Sequence, residues 1–224
     1  FPQFGYLLSK NIASDPEETS DNLLDFDTET PLRRLILGRN PDTADIREHR
    51  RVLEAFALFE KVAWQTDDGE LHPHTKLIAS LAGFTGTDGM VRFREIVERQ
   101  RNRGILQGEY YLSVQPLPLA TYLLQSWWET HGLNELLEEL PPEMVSEFGE
   151  RIPYMATFDA GREWIAEILG PNGPFYQNDG ALLDTELGSQ LFFKLAEADP
   201  RQAVDTLHDL LAQKSEEELL AFHT

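Results

Sequence analysis

Apolar and polar positions alternate with a helical period from about residue 46 onward. Ile46, Val52, Leu53, Phe56, Phe59 and Val62 form one such stripe, with Asp45 placed to cap its start. After Trp64, Thr66-Asp67-Asp68-Gly69 predicts a turn and Glu70-Leu71-His72 a brief extended piece. Thr75 then precedes Leu77, Ile78, Leu81 and Ala82, a short helix ended by Gly83. Thr85-Gly86-Thr87-Asp88-Gly89 reads as another turn. A third helix follows, with Val91, Phe93, Ile96 and Val97 facing inward and Gly104 as its stop. Ile105-Leu106-Gln107 and Tyr110-Tyr111-Leu112-Ser113-Val114 read as two strands about a tight turn at Gly108-Glu109.

Helix, short strand, helix, turn, helix and β-hairpin is the element order of a winged helix, expected over residues 46–125. Pro116-Leu117-Pro118 leads into an apolar-rich helix ending at Trp127-Trp128, an aromatic pair suited to packing between helices. Residues 126–224 continue as amphipathic helices. One opens at Pro141-Pro142 and carries Met144, Phe148 and Ile152. The next carries Trp164, Ile165, Ile168 and Leu169 and stops at Gly170-Pro171. Residues 172–180 read as a loop, and Leu187, Leu191, Phe192 and Leu195 mark a further helix. The pair Phe192-Phe193 is expected to fill a helix–helix interface. Asp199-Pro200 caps a last helix with Val204, Leu207, Leu210 and Leu211. The expected fold is therefore mainly α: a winged helix followed by a TPR- or HEAT-like helical array. Residues 1–45 hold a short apolar stretch, a polar run over 13–21 that suits a linker, and a stripe of Leu32, Leu35 and Ile36 before Gly38.

Charge divides along the same lines. The 224 residues carry a formal charge of −20. Residues 1–45 hold four basic and nine acidic side chains, residues 46–125 ten of each, and residues 126–224 five basic and twenty acidic. An acidic balance of this size opposes nucleic acids and anionic lipid in general, so any polyanion site must be local. With 41% hydrophobic and 10% aromatic residues the chain is equipped to fold. The absence of cysteine removes disulfides, thiolate metal sites and a cysteine nucleophile. No apolar run reaches the roughly 20 residues of a membrane span, no leader sequence is visible, and a cytoplasmic location is expected. The first residue is Phe, which reads as the tail of an element begun earlier, so the chain is expected to be part of something longer.

Enzyme chemistry finds little support in the motifs. There is no GxxxxGK[ST] or GxGxxG phosphate loop, no GxSxG elbow and no HExxH. His72-Pro73-His74 lacks a third ligand nearby and reads as an exposed loop before a helix. His49, His131, His208 and His223 are isolated, and Asp67-Asp68 and Glu216-Glu217-Glu218 lack calcium-loop spacing. The chain is therefore expected to be non-enzymatic and to hold no cofactor or metal of its own. What stands out is the third helix, where Arg92, Arg94, Arg99, Arg101 and Arg103 occupy the position of a recognition helix. Arginines there can contact phosphates and base edges. Glu95 and Glu98 interleave with them, which favours a solvated face or one that meets another protein domain over one that meets DNA.

Several segments resemble the region following the P-loop domain in bacterial STAND-class signalling ATPases. Phe1-Pro2-Gln3-Phe4-Gly5-Tyr6-Leu7-Leu8 is similar to that family's lid helix, and Leu53-Glu54-Ala55-Phe56-Ala57-Leu58-Phe59 to its first winged-helix helix. Tyr111-Leu112-Ser113-Val114-Gln115-Pro116-Leu117-Pro118-Leu119-Ala120 resembles the wing strand and the start of the helix behind it. The resemblance follows the order of elements through residues 1–125 and only their character beyond. It implies three parts: a helical lid remnant and linker over 1–45, a winged helix over 46–125 and a helical repeat-like region over 126–224. It further implies that Pro2 contacts adenine when a nucleotide-binding domain is joined upstream, so ATP or ADP is a cofactor only with that domain. The family often places a phosphate-sensing histidine where this chain has Gln115-Pro116-Leu117-Pro118, and no catalytic residue carries over. The implied role is regulatory, with the helical part relaying recognition of a ligand or partner to the nucleotide-binding domain. The competing reading is a winged-helix transcription regulator with a helical ligand or dimerisation domain.

Overall fold

Nine α-helices and one three-stranded antiparallel sheet make up most of the regular structure in residues 43–131 and 140–212, which this computed structural model describes. Pro2, the linker over 13–21, the Leu32 stripe and the acidic run at Glu216 lie outside the described residues. The fold is mainly helical, and the described chain divides into two units. The first holds residues 43–57 and 61–123; the second holds Leu58–Glu60, residues 124–131 and 140–212.

In the first unit α1 spans Thr43–Ala57. It begins two residues before the expected cap, which puts Asp45 in the first turn, and it ends at Ala57 instead of running on to Val62. Val62 keeps the helical spacing by coincidence, since it lies in strand β1, Val62–Ala63. Gln65 and Leu71 bridge across the 66–69 turn, where Gly69 adopts a positive φ of 81°. Helix α2 spans Pro73–Leu81. His72 is its N-cap, and its Nδ1 accepts from the His74 amide at 3.2 Å. The His-Pro-His segment is thus a cap and first turn, not a free loop, because proline at the first helical position needs no hydrogen-bond partner.

Helix α3, Gly86–Asn102, starts directly behind Thr85, so the expected 85–89 turn is its first turn. It ends before Gly104, whose φ of 74° gives the left-handed stop that glycine tolerates. Strands β2, Leu106–Gln107, and β3, Tyr111–Val114, form the expected hairpin, with Leu106 opposite Val114 and Gln107 opposite Ser113. β1 adds on the other side of β3, with Val62 opposite Leu112, giving the order β1-β3-β2. Along β3 the pleat turns Leu112 and Val114 into the core and leaves Tyr111 exposed. Phe93 anchors that core, stacked on Phe56 at 6.2 Å and tilted against Phe84 at 6.0 Å. Thr75, fully buried, donates one hydroxyl to two carbonyls, Ala63 O at 2.5 Å and Trp64 O at 3.1 Å, and so ties α2 to the end of β1. Helix α4, Leu117–Thr130, starts two residues ahead of Leu119 and takes both Leu117 and Pro118 into its first turn.

The second unit is built on aromatic contacts. Trp128 of α4 meets Trp164 at 5.4 Å and Phe148 at 6.3 Å, and Phe59 meets Phe148 edge-on at 6.4 Å. Trp127 and Trp128 are both buried, as packing residues should be. Phe148 belongs to α5, Pro142–Gly149, and Trp164 to α7, Asp159–Leu169. Between them lies the single turn α6, Ile152–Met155. The expected 172–180 loop is largely a 3-10 helix, Pro174–Asp184, followed by α8, Glu186–Ala198, and α9, Pro200–Ala212. Gly188 permits the close approach of that 3-10 segment, because a Cβ there would lie 1.9 Å from the Leu182 carbonyl oxygen. Asp199 caps α9 as expected, accepting from the Gln202 amide at 3.0 Å.

Two apolar faces differ from the sequence pattern. Phe192 is buried against Phe175, yet Phe193 is 61% exposed. On α9 the buried positions are Ala203, Thr206 and Leu210, while Val204, Leu207 and Leu211 face outward. The cause is polar: the buried Thr206 hydroxyl reaches the Leu169 carbonyl at 2.8 Å, and Gln202 reaches Ala166 O at 2.9 Å. These bonds complete the end of α7, whose last carbonyls lack partners within the helix.

Arg151 bonds carbonyls in the turn that follows α1. It is 4% exposed, and its Nε donates to Phe59 O at 3.0 Å while Nη2 lies 3.5 Å from Glu60 O. Its pKa is pulled down, chiefly by burial, with nearby Glu60 opposing. Replacing Arg151 with Met keeps the apolar stem but strands the Phe59 carbonyl. The expected cost is about 1–3 kcal/mol, read as a lower urea midpoint by circular dichroism. Gly108→Ala tests the hairpin turn. Gly108 has φ 125°, and a Cβ there would sit 1.8 Å from Tyr111 O. The expected loss is again about 1–3 kcal/mol, measured by the same denaturation.

Candidate interaction surface on the arginine-rich helix

Helix α3 buries Phe93, Ile96, Val97 and Gln100, one stripe at the 3, 4, 7 spacing of a helix face. Val91, expected inside, is 55% exposed, because it falls on the opposite side from that stripe. Gln100 is fully buried and its amide lies 2.6 Å from Nδ1 of His49, itself 4% exposed on α1. Sequence reasoning set His49 aside as isolated. Its partner lies 51 residues away, and no local pattern reveals such a pair.

The five arginines do not share one face. At about 100° per residue, Arg92, Arg99 and Arg103 fall along one flank of the buried stripe, and Arg94 and Arg101 along the other. Between the two rows, on the outermost face, stand Val91, Glu95, Glu98 and Asn102. Arg92 bonds Glu48 of α1 at 2.9 Å and Glu95 at 3.3 Å. Arg101 bonds Glu98 at 2.8 Å and reaches the Gly108 carbonyl at 3.4 Å, which holds the hairpin turn against α3. Arg94 and Arg99 are exposed, and Arg103 is half-buried. Burial, and then repulsion from Arg99, lowers the Arg103 pKa. The side chains of Glu95 and Glu98 are 61% and 50% exposed, so the most outward charges of the helix are negative.

The hairpin beside this helix presents Tyr110 and Tyr111, 65% and 56% exposed, with Lys61 Nζ 5.8 Å from the Tyr111 ring centre. The surface therefore mixes guanidinium, carboxylate, aromatic and aliphatic groups, of which arginine and tyrosine are the types enriched at protein interfaces. His72 and His74 pack edge-to-face at 4.3 Å. Among the described residues no group of three or more His, Asp or Glu side chains is placed to hold a metal ion, and no helix is long and apolar enough to cross a membrane. Compared with protein-family models, curated proteins and solved structures, the chain matches none.

The Arg92–Glu48 pair links α1 to α3 at partial exposure, where ion pairs contribute modestly. Arg92→Ala is expected to cost at most about 1 kcal/mol, and the difference from the parent should shrink in high salt. Urea midpoints measured at low and high sodium chloride check both points.

Proposed function

We propose that this chain is a non-catalytic regulatory and interaction region of a larger signalling ATPase of the STAND type. Residues 46–125 would form its winged helix and the later helices a TPR- or HEAT-like sensing part. One observation carries the reading: the outward face of α3 bears Glu95 and Glu98 between its arginine rows. Phosphates approaching that face meet carboxylates first, which opposes DNA. A protein surface with alternating charge meets complementary partners in both signs, which fixes register and excludes wrong partners. The element order α1-β1-α2-α3-β2-β3 with sheet order β1-β3-β2 is also what a winged helix requires. In this reading α3 and the hairpin meet the nucleotide-binding domain. Recognition of a ligand or partner by the later helices then shifts the population between locked and released arrangements.

The open reading frame upstream of Phe1 tests the assignment to this class: a P-loop sequence there supports it, and its absence from the complete frame overturns it. The surface itself is tested by a DNA retention assay at low ionic strength. The expected result is no salt-sensitive binding of duplex. Binding that falls steeply with salt and is abolished by Arg94→Glu with Arg99→Glu would favour the transcription-regulator reading instead.

A further inference from the structure

Within the second unit, α5 and α8 leave between them a groove of about 390 Å³ lined by Val145, Gly149, Leu191, Phe193 and Lys194 among others. Val145 is buried, Leu191 half-buried, and Phe193 is 61% exposed, a large apolar side chain left open to water. Gly149 keeps the groove open beside Lys194, since a Cβ there would already press the Lys194 Cγ at 3.3 Å. The volume falls within the roughly 300–1,000 Å³ typical of binding clefts.

The polar side of the groove shows what it attracts. The Lys194 ammonium lies 3.0 Å from Glu150 and 3.2 Å from Glu197, and 5.6 Å from the centre of the Phe193 ring. Two carboxylates and an aromatic face thus gather on one cation, and the hydrogen bond to Glu150 leads in raising the Lys194 pKa. The cluster still carries one uncompensated negative charge. Glu143 and Glu186 stand exposed within a turn of the groove-lining residues on the same two helices. Over residues 140–212, four Lys and Arg face thirteen Asp and Glu, and Arg151 is buried on backbone carbonyls while Arg162 bonds Asp159.

We propose that the α5–α8 groove docks a basic amphipathic segment of a partner protein. Its apolar anchor lies against Val145, Leu191 and Phe193, and its Lys or Arg side chains join Glu150 and Glu197. A helix laid in a groove reads such a pattern through side chains three and four apart. Charge complementarity selects this occupant. A second copy of the chain would bring the same acidic surface, and an acidic segment would be repelled. The site belongs to the second unit and the α3 surface to the first, and the proposal stands whether or not an ATPase domain precedes the chain.

The test is fluorescence anisotropy of the full chain with a labelled amphipathic peptide of leucine and lysine, compared with the same pattern in leucine and glutamate. The lysine peptide should bind and the glutamate peptide should not, with affinity falling as salt rises. Phe193→Ala, and separately Glu150→Gln with Glu197→Gln, should each weaken binding by about tenfold or more. Glu163→Gln, an exposed carboxylate on α7, should leave it unchanged, and circular dichroism should show all variants folded. The proposal is overturned by no binding of the lysine peptide, by equal loss in Glu163→Gln, or by binding indifferent to Phe193 or to the Glu150 and Glu197 pair. A concentration-dependent dimer by sedimentation that Phe193→Ala dissolves would overturn it in favour of a second copy.

Discussion

Short helices, short strands and the turns between them leave many backbone carbonyls to be bonded from outside regular structure, and the structure depends on side chains that do so. The described helices run from four to seventeen residues, so a large share of their hydrogen-bonding groups lies at an end. In the second unit Arg151 takes the Phe59 carbonyl and Thr206 the Leu169 carbonyl. In the first, Thr75 takes Ala63 and Trp64. Each donor sits inside an apolar core, where an unmade hydrogen bond costs more than a made one contributes. These polar residues therefore fix which helix face turns inward. The packing then follows them.

That dependence explains what the sequence could and could not show. The mainly helical fold with a small antiparallel hairpin was legible, because helix length, the Gly104 stop and the Gly108 turn are local signals. The apolar pattern places the starts of α2 and α4 late, at Thr75 and Leu119, because Pro73 and Pro118 in their first turns resemble loop residues, and Gly86 and Gly89 hide the start of α3 in the same way. The outward turn of Val204, Leu207 and Leu211 could not be read from apolar spacing. Their stripe is the more hydrophobic, but Thr206 and Gln202 on the other side are needed by α7. Phe193 is a parallel case: one of two adjacent aromatics on a helix can face the core, and Phe192 is held there by Phe175.

The candidate surface was half legible. Five arginines can be counted in the sequence, four on α3 and Arg103 at its C-cap, and rotation at helical pitch separates them into two rows. What cannot be counted is which of them is already engaged. Arg92 pairs with Glu48 from another helix, and Arg101 holds a turn carbonyl seven residues on. A basic run therefore overstated the positive charge that α3 presents outward. The His49–Gln100 pair escaped for a related reason, since burial and a partner 51 residues distant turn an isolated histidine into part of a core.

Net charge hides the same distinction between local pairing and local excess. Around α3 the opposing charges are interleaved and largely consume one another, so long-range attraction for a polyanion is weak and geometry decides the partner. Around the α5–α8 groove the single lysine is outnumbered by the carboxylates that hold it, so attraction for a cation persists beyond contact distance. The chain total of −20 merges a neutral stretch with an acidic one. A surface whose charges cancel selects by shape and register, whereas one with an excess also steers its partner during approach. If the proposals hold, the two surfaces would serve different tasks: a contact that forms and releases in a fixed geometry, and the capture of a basic segment from solution.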